Sequence, residues 1–499
     1  MKQILLIGAG KSATVLINYL KQVITEKQWQ LTVADNDINV ASAKVGNHPL
    51  AKAIQLTIQN EPERDELIQQ ADIVISMMPP ALHYLVAIDC IKFNKHLLTA
   101  SYIDENLKKE EQQLKEKGLL FLCEMGLDPG IDHMSAMQII NAIKAKGGKI
   151  TSFKSHCGGL IAPESDNNPW HYKISWNPRN VIMAGKAGAT FKENNIIKTV
   201  PYTQLFNSKN SINLSASESY AFYPNRDSLQ YMQLYGLENI ETFIRTTLRH
   251  PEFSFGWKNI VDLQLTDEEK IYETNGMSIA HFFQQHFQKH GFSDWLNEML
   301  MNRLSIAKNM AEKLIELMNL SEKANKASEL VDKEMLVVDE KGNLNSVNIE
   351  EVKDRAAETM ASEMNEANII MSQLMFLGID DDKTVINQGL CSAADILQFI
   401  VEKKWALQPT DKDMIVMLHE IEYELHNEKK KINSLLKVKG EDALQTAMAK
   451  TVGLPLGIAA KLILEGQITE TGLHIPIIAG IYQPVLLELK KLGIEFVEY

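Results

Sequence analysis

Apolar and polar positions follow two regimes along this chain. Over the first third, short apolar runs are separated by segments whose apolar residues recur three and four apart. The runs are Ile4–Ile7, Leu31–Ala34, Asp72–Ser76, His96–Tyr102 and Gly118–Cys123. Val15, Leu16, Tyr19 and Leu20 follow the first run at helical spacing, Leu85, Val86, Ile88 and Ile91 follow the third, and a charged helix is predicted from about Glu105 to Lys117. Continuous apolar runs of this length suit strands covered on both faces, and the spaced segments suit the helices that cover them. The alternation predicts an α/β fold with a parallel, doubly wound sheet. Ligands of such sheets collect beyond the carboxyl ends of the strands, so Ser76, Ser101, Tyr102 and Asp128 are expected on one rim.

From about Ser135 the pattern changes. A helix to Lys146 stops at Gly147-Gly148, and short strands such as Ile150–His156 and Asn180–Gly185 then alternate with polar loops, which reads as a second, mixed sheet. Between about Met277 and Phe399 the chain is helical, with runs Trp295–Leu330 and Ile349–Leu377 rich in Ala, Leu, Met, Glu and Lys. Val337–Val347, centred on Glu340-Lys341-Gly342-Asn343, is expected to be an exposed turn or hairpin. An apolar helix is expected over Leu456–Leu464, and Gly493–Val497 resembles an edge strand.

Composition narrows the class. With 499 residues, two or three domains are expected, and 45% hydrophobic with 23% charged residues is a soluble globular profile. A net charge of −13 argues against a nucleic-acid partner. The four cysteines, Cys90, Cys123, Cys157 and Cys391, form no CxxC pair, so neither a metal site nor a disulfide framework is indicated and a reducing cytoplasm is the expected compartment. No basic leader with a long apolar stretch precedes the first strand and no run of about 18 uninterrupted apolar residues occurs, so no membrane span is expected.

The stretch Gly8-Ala9-Gly10-Lys11-Ser12-Ala13 carries the first chemistry. Gly10-Lys11-Ser12 imitates the end of an ATP-binding Walker A loop, yet the glycine that loop requires upstream is replaced by Leu5. A dinucleotide-binding turn fits instead. Gly8 makes the tight turn, Gly10 lets the backbone approach a pyrophosphate, and Ala13 lets the helix pack on the strand with its positive end toward the phosphates. The second strand ends at Asp35-Asn36, where a carboxylate can accept hydrogen bonds from the adenosine ribose and would repel a 2′-phosphate, which favours NAD. A polar turn that caps the next helix would also explain Asp35-Asn36-Asp37.

Several segments together resemble the signature stretches of saccharopine dehydrogenase of the glutamate-forming type. They are Ala100-Ser101-Tyr102-Ile103, Gly126–His133, Cys157-Gly158-Gly159-Leu160 with Ala162-Pro163-Glu164, Tyr223–Ser228, Thr247-Leu248-Arg249 and Thr451–Pro455, in the family's order over nearly the whole chain. The resemblance weakens between about Lys270 and Leu407. It implies a Rossmann domain over 1–133, an inserted α+β substrate and dimerisation domain over 134–270 with 400–450, a helical subdomain over 271–399, and a return of 451–499 to the Rossmann domain.

The implied reaction oxidises saccharopine, a secondary amine joining a lysine skeleton to glutamate, and hydrolyses the resulting imine to 2-aminoadipate semialdehyde and glutamate; the reverse condensation uses the same site. By the resemblance, Asp128 and Tyr102 handle protons or orient substrate. Ser101, Arg226, Thr247, Leu248 and Arg249 bind substrate, the arginines gripping carboxylates with paired hydrogen bonds. The cofactor match covers Gly10, Lys11, Ser12, Ala13, Asp35, Met78 and the loop Leu127, Asp128, Pro129, Gly130, Ile131, Asp132 and His133. Met78 could equally be core packing, and His133 could simply start the next helix. Cys157 reads as structural, because the adjacent His156 would point away from it on a strand.

Fungal members that use NADPH carry an arginine just after the second strand. Asp35-Asn36 is similar to the NAD-using catabolic form, which makes NAD the expected cofactor and NADP the alternative. With no stretch ahead of Met1 for a lysine-ketoglutarate reductase module, that activity is expected on a separate chain, and a homodimer is the expected assembly. Two rivals keep the fold: a dehydrogenase for another carboxylated secondary amine such as carboxynorspermidine, which should lose the paired Arg226 and Arg249, and a non-catalytic NAD-binding regulator, which needs neither these nor Tyr102 with Asp128.

Overall fold

The computed structural model describes residues 1–207, 210–215, 218–295, 297–303, 305–306, 308–309, 311–312, 315, 334–338 and 344–499. The chain forms two units. One comprises 1–167, 171–258 and 405–499, the other 168–170 and 259–404.

The first unit holds a parallel sheet of seven strands. Six are β1 (Gln3–Ile7), β2 (Gln30–Asp35), β3 (Ala51–Gln55), β4 (Ile73–Ser76), β5 (His96–Thr99) and β6 (Leu120–Leu122), in the order β3-β2-β1-β4-β5-β6, and Gly472–His474 extends the β6 edge. Alternate side chains of β1 enter different apolar layers, Ile4 and Leu6 on one side and Leu5 and Ile7 on the other. This is the physical content of an unbroken apolar run: both faces are covered, and each large side chain contributes about 1.5–3 kcal/mol. The strand order reverses between β1 and β4, and a crevice opens at that switch point.

The C-terminal return is built by the helix Ala447–Leu464, which lies along the helix Ala13–Lys27. A Cβ at Gly453 would sit 3.0 Å from Leu16 Cβ and 3.3 Å from the Ser12 carbonyl, so the small residues at 453 and 457 let this helix press on the start of the glycine-loop helix. It is long and apolar enough to cross a membrane, but 78% of it is buried inside the fold.

The mixed sheet of the same unit is centred on β7 (Lys149–Ile161), paired parallel with Thr242–Arg249 and antiparallel with Asp413–Leu425, which continues into Glu428–Lys439. Three expectations change here. Asn180–Gly185 is not a strand: Asn177 accepts from the Arg179 amide at 2.9 Å and Pro178 occupies the first turn, so a helix forms over Pro178–Ile182. The run His96–Tyr102 is strand only to Thr99, whose hydroxyl takes the Ser101 amide at 3.2 Å and turns the chain. The tail pairs as an edge strand, Val497–Glu498, but on Glu428–Lys439 of the mixed sheet, so 451–499 does not return wholly to the parallel sheet.

The second unit is mainly helical, with Ile279–His290, Ile349–Leu377 and Ala393–Lys404. Glu334–Val338 and Leu344–Asn348 pair antiparallel, the hairpin expected near Val337–Val347; its tip and most of Trp295–Leu330 lie outside the described residues.

Candidate active site

The glycine loop follows β1 directly. Gly8 has φ +102°, and a Cβ there would come within 3.0 Å of the Met77 carbonyl, so only glycine lets the turn close on the end of β4. At Gly10 a Cβ would meet nothing within 4 Å, which leaves open space beside the backbone. Ser12 precedes the helix Ala13–Lys27 without capping it through its side chain, and the Ala13 and Thr14 amides donate to the Gly10 and Lys11 carbonyls at 3.0 and 3.4 Å, closing the loop into the helix. The Asp35 carboxylate is held by the Ala9 amide at 2.6 Å and the Asp37 amide at 2.9 Å. Beside it a cavity of ≈ 300 Å³ is lined by Asp35, Asn36, Leu56, Ile58, Met78 and Leu82 among others, an apolar slot with a polar rim. Met78 thus faces the cavity, while Ala13 is fully buried and Lys11 is exposed.

Across the switch point, the loop after β6 folds so tightly that a Cβ at Gly130 would lie 2.0 Å from the Gly126 carbonyl. Of the side chains expected to meet a cofactor here, the structure leaves Asp128 partly open, 15% exposed, at a cis bond to Pro129. Leu127, Pro129, Gly130 and Ile131 are buried. Asp132 and His133 turn inward. Asp132 Oδ1 accepts from the Gly130 amide at 2.6 Å, and His133 bridges Glu124 Oε2 at 2.8 Å and the Tyr235 hydroxyl at 2.5 Å. Both side chains are buried and bonded within the protein, beneath the more open Asp128.

The strand Thr242–Arg249 supplies the opposite wall. Alternation places Arg245, Thr247 and Arg249 on one face and Thr246 and Leu248 on the other. Leu248 packs with Leu160, Met414 and Val416 on the face opposite Arg245 and Arg249. His156 is on that same rear face, bonded to Thr246 at 2.7 Å and Glu420 at 3.2 Å. On the front face, Arg245 Nη2 donates to Asp128 Oδ1 at 2.5 Å and Asp132 Oδ2 at 2.7 Å. Arg249 is buried, stacked 5.2 Å from Tyr172 and 5.3 Å from Phe253. It donates through Nη1 to the Leu248 carbonyl at 2.9 Å, and its Nε has no partner among the described residues. Arg226 is exposed, with φ +50°, and its guanidinium lies 5.0 Å from the Tyr102 ring. Among the described residues neither Arg226 nor Arg249 forms an ion pair.

Burial, against the pull of Arg245, raises the Asp128 carboxyl above its usual range, with Asp132 adding to the rise. At Asp132 burial also opposes the charge, but His133, Arg245 and the Gly130 amide outweigh it and hold the carboxyl below its usual range. The Tyr102 hydroxyl is pushed up to about 12, chiefly by burial. Cys157 is buried, and its thiol is pushed well above the usual range by burial and then by Asp128 and Asp132.

Residues 4–122 match the saccharopine dehydrogenase NADP binding domain and residues 126–494 match the saccharopine dehydrogenase C-terminal domain. The chain belongs to the saccharopine dehydrogenase family. It is 29% identical to the saccharopine dehydrogenase [NADP(+), L-glutamate-forming] of Schizosaccharomyces pombe, over all of this chain and 99% of that one. It is 32% identical to the alpha-aminoadipic semialdehyde synthase of Arabidopsis thaliana, of which it spans 44%. The fold matches the apo saccharopine dehydrogenase (L-Glu forming) of Saccharomyces cerevisiae with a TM-score of 0.78 and 26% identity, covering 100% of this chain and 99% of that chain. A nicotinamide nucleotide is therefore the cofactor class. The fungal relatives name NADP(+), whereas the sequence reading of Asp35 expects NAD.

Within this saccharopine dehydrogenase family chain, sequence reasoning missed three residues. Arg245 lies four before Arg249, so strand alternation alone would have placed it on the same face. Lys44 donates to the carbonyls of Ala9 at 2.6 Å and Gly10 at 2.5 Å, bracing the loop from behind, and burial lowers it to about 8, Asp35 partly opposing. His83 links Ser76 Oγ at 2.8 Å to Ser101 Oγ at 2.7 Å, and burial lowers it to about 4. It therefore holds Ser101 as a neutral ring. No motif marks Lys44 or His83.

Proposed function

We propose that this chain oxidises saccharopine with NAD, releasing 2-aminoadipate semialdehyde and glutamate. The observation that carries the reading is Arg249: a buried guanidinium with an unmatched Nε and no carboxylate partner among the described residues, on the strand face it shares with Thr247. A buried cation with no carboxylate beside it is only partly compensated by one carbonyl and two aromatic rings, and a ligand carboxylate would complete the compensation. Arg226, also without an ion pair among the described residues, offers a second carboxylate contact beside Tyr102. A substrate with carboxylates at both ends of a secondary amine suits two such arginines flanking one carboxylic acid.

The glycine loop fits a dinucleotide: Gly10 leaves the space a pyrophosphate needs, and the apolar slot of Leu56, Ile58, Met78 and Leu82 suits an adenine ring. When bound, the nicotinamide accepts the hydride from the carbon beside the amine nitrogen. The chain's own residues do the rest. Asp128 gives one oxygen to Arg245, which leaves Oδ2 to take the proton that the amine gives up and pass it to solvent; the same oxygen then takes a proton from the water adding to the imine carbon and hands it to the nitrogen as the C–N bond breaks, releasing the aldehyde and glutamate. A raised carboxyl suits that exchange near neutral pH. Tyr102, kept protonated, donates its hydroxyl hydrogen, and Ser101, fixed by His83, orients the substrate. Negative charge at Asp35 and Asp37, at the end of β2, would repel a 2′-phosphate there, which is the support for NAD over NADP.

Reduced-nicotinamide absorbance with purified protein, saccharopine and each cofactor tests the reading. We expect turnover with NAD exceeding that with NADP; no turnover with either would overturn the substrate, and a strong NADP preference would overturn only the cofactor form. Asp128→Asn should lower turnover about 100- to 10,000-fold with little effect on cofactor affinity.

A further inference from the structure

We propose that Arg245, which the reading above leaves out of contact with substrate and cofactor, positions Asp128 for proton transfer by sharing one guanidinium nitrogen between Asp128 and Asp132. The inference rests on the proposed role of Asp128 and adds a residue that the substrate chemistry does not demand.

Arg245 is pinned along its whole length. Its amide donates to Ser228 Oγ at 3.1 Å, its carbonyl accepts from the Asn225 amide at 2.8 Å, and its guanidinium lies 4.4 Å from the Tyr231 ring. Tyr231 is fixed in turn by donating to Glu124 Oε2 at 3.2 Å, the oxygen that also meets His133. Nη2 meets both aspartates, at 2.5 Å and 2.7 Å. The two carboxylates are not equivalent. Asp132 is 2% exposed and takes the Gly130 amide as well, whereas Asp128 is 15% exposed. One cation between two carboxylates leaves one of them undercompensated, and the better-bonded Asp132 keeps its charge. The proton therefore comes and goes at Asp128, the member that reaches the cleft.

The charged and titratable groups that face Asp128 are Arg245, Asp132 and His133, with Tyr102 and Cys157 within electrostatic reach and Arg226 stacked on Tyr102. This arrangement makes opposite predictions for two substitutions. Removing the cation raises the pH at which Asp128 ionises, and removing the competing carboxylate lowers it.

The test is the pH profile of kcat/KM for saccharopine in wild type, Arg245→Gln, Asp132→Asn and Arg245→Lys. We expect the acid limb to move up by about 1–3 pH units in Arg245→Gln and down by about 1 in Asp132→Asn, with Arg245→Lys recovering most of the limb position but not the full kcat. A limb unmoved in both, or moved the same way in both, would overturn the proposal. Asp132→Asn keeps the Arg245–Asp128 pair and reads the effect even where Arg245→Gln does not fold. If wild type shows no turnover, the substrate reading fails alone; carbon-13 NMR titration of carboxyl-labelled aspartate, assigned with Asp128→Asn, still shows whether the two substitutions move Asp128 in opposite directions.

Discussion

The parallel sheet and the mixed sheet serve the site with different kinds of group. On the parallel sheet the groups that shape the site are mostly backbone: the loop after β1, whose carbonyls Lys44 braces from behind, and glycines whose virtue is the atom they lack. On the mixed sheet they are charged side chains on one face of one strand, where Arg245, shared by two aspartates, is followed four positions on by Arg249, which has no carboxylate partner among the described residues. The first site is a shape made by consecutive residues. The second is a charge balance struck between distant ones, which on the proposed reading a substrate carboxylate completes.

That difference can be broken at its strongest point with Arg249→Met. We expect kcat/KM for saccharopine to fall about 1,000-fold, the cost of leaving a buried carboxylate contact unmade, with cofactor affinity unchanged. Thermal stability should hold or rise, because the substitution removes a buried cation that has no carboxylate partner among the described residues. A lower Tm with ordinary kinetics would make Arg249 a structural residue. Next in size is Gly10→Val. Its side chain enters open space, so Tm should stay within a few degrees. Cofactor affinity measured by fluorescence titration should weaken about 100-fold, equivalent to two or so charge-assisted hydrogen bonds. A large loss of Tm would show that the loop is not the ligand-shaped space described.

Asp35→Ser is smaller and more selective. Removing the negative charge should raise the NADP-to-NAD ratio of kcat/KM about 10-fold, and an unchanged ratio would assign NADP rejection elsewhere. The smallest effect compares one histidine from each sheet. His83, after β4, and His419, on the mixed sheet, are both lowered to about 4 by burial. The unfolded chain takes up their protons below about pH 6.5 while the folded chain does not, so stability is expected to fall as pH drops from about 6.5 to 4. His83→Gln and His419→Gln should each flatten part of that fall in Tm; a slope that neither changes would assign it to other groups.

The glycine loop was legible because its demands are local. A strand, a residue with positive φ and a helix start follow one another, and Leu5 is enough to exclude the ATP loop. Asp35 was legible for the same reason. The loop Leu127–His133 was legible as a segment, but not in which of its side chains face out, since Asp132 and His133 find their partners in Arg245, Glu124 and Tyr235. The strand Gly472–His474 is too short and too polar to stand out, and it exists because the β6 edge supplies its hydrogen bonds. The destination of Val497–Glu498 was likewise settled by which edge lay open.

By itself, then, the sequence determined the parallel sheet, the switch-point loop and the class of ligand it can hold, because periodicity and backbone shape are properties of neighbouring residues. The tertiary structure alone decided which arginine is spent on aspartates and which stays available. Arg245 and Asp128 are 117 residues apart, and the burial that makes their pairing matter exists only after the two sheets have packed.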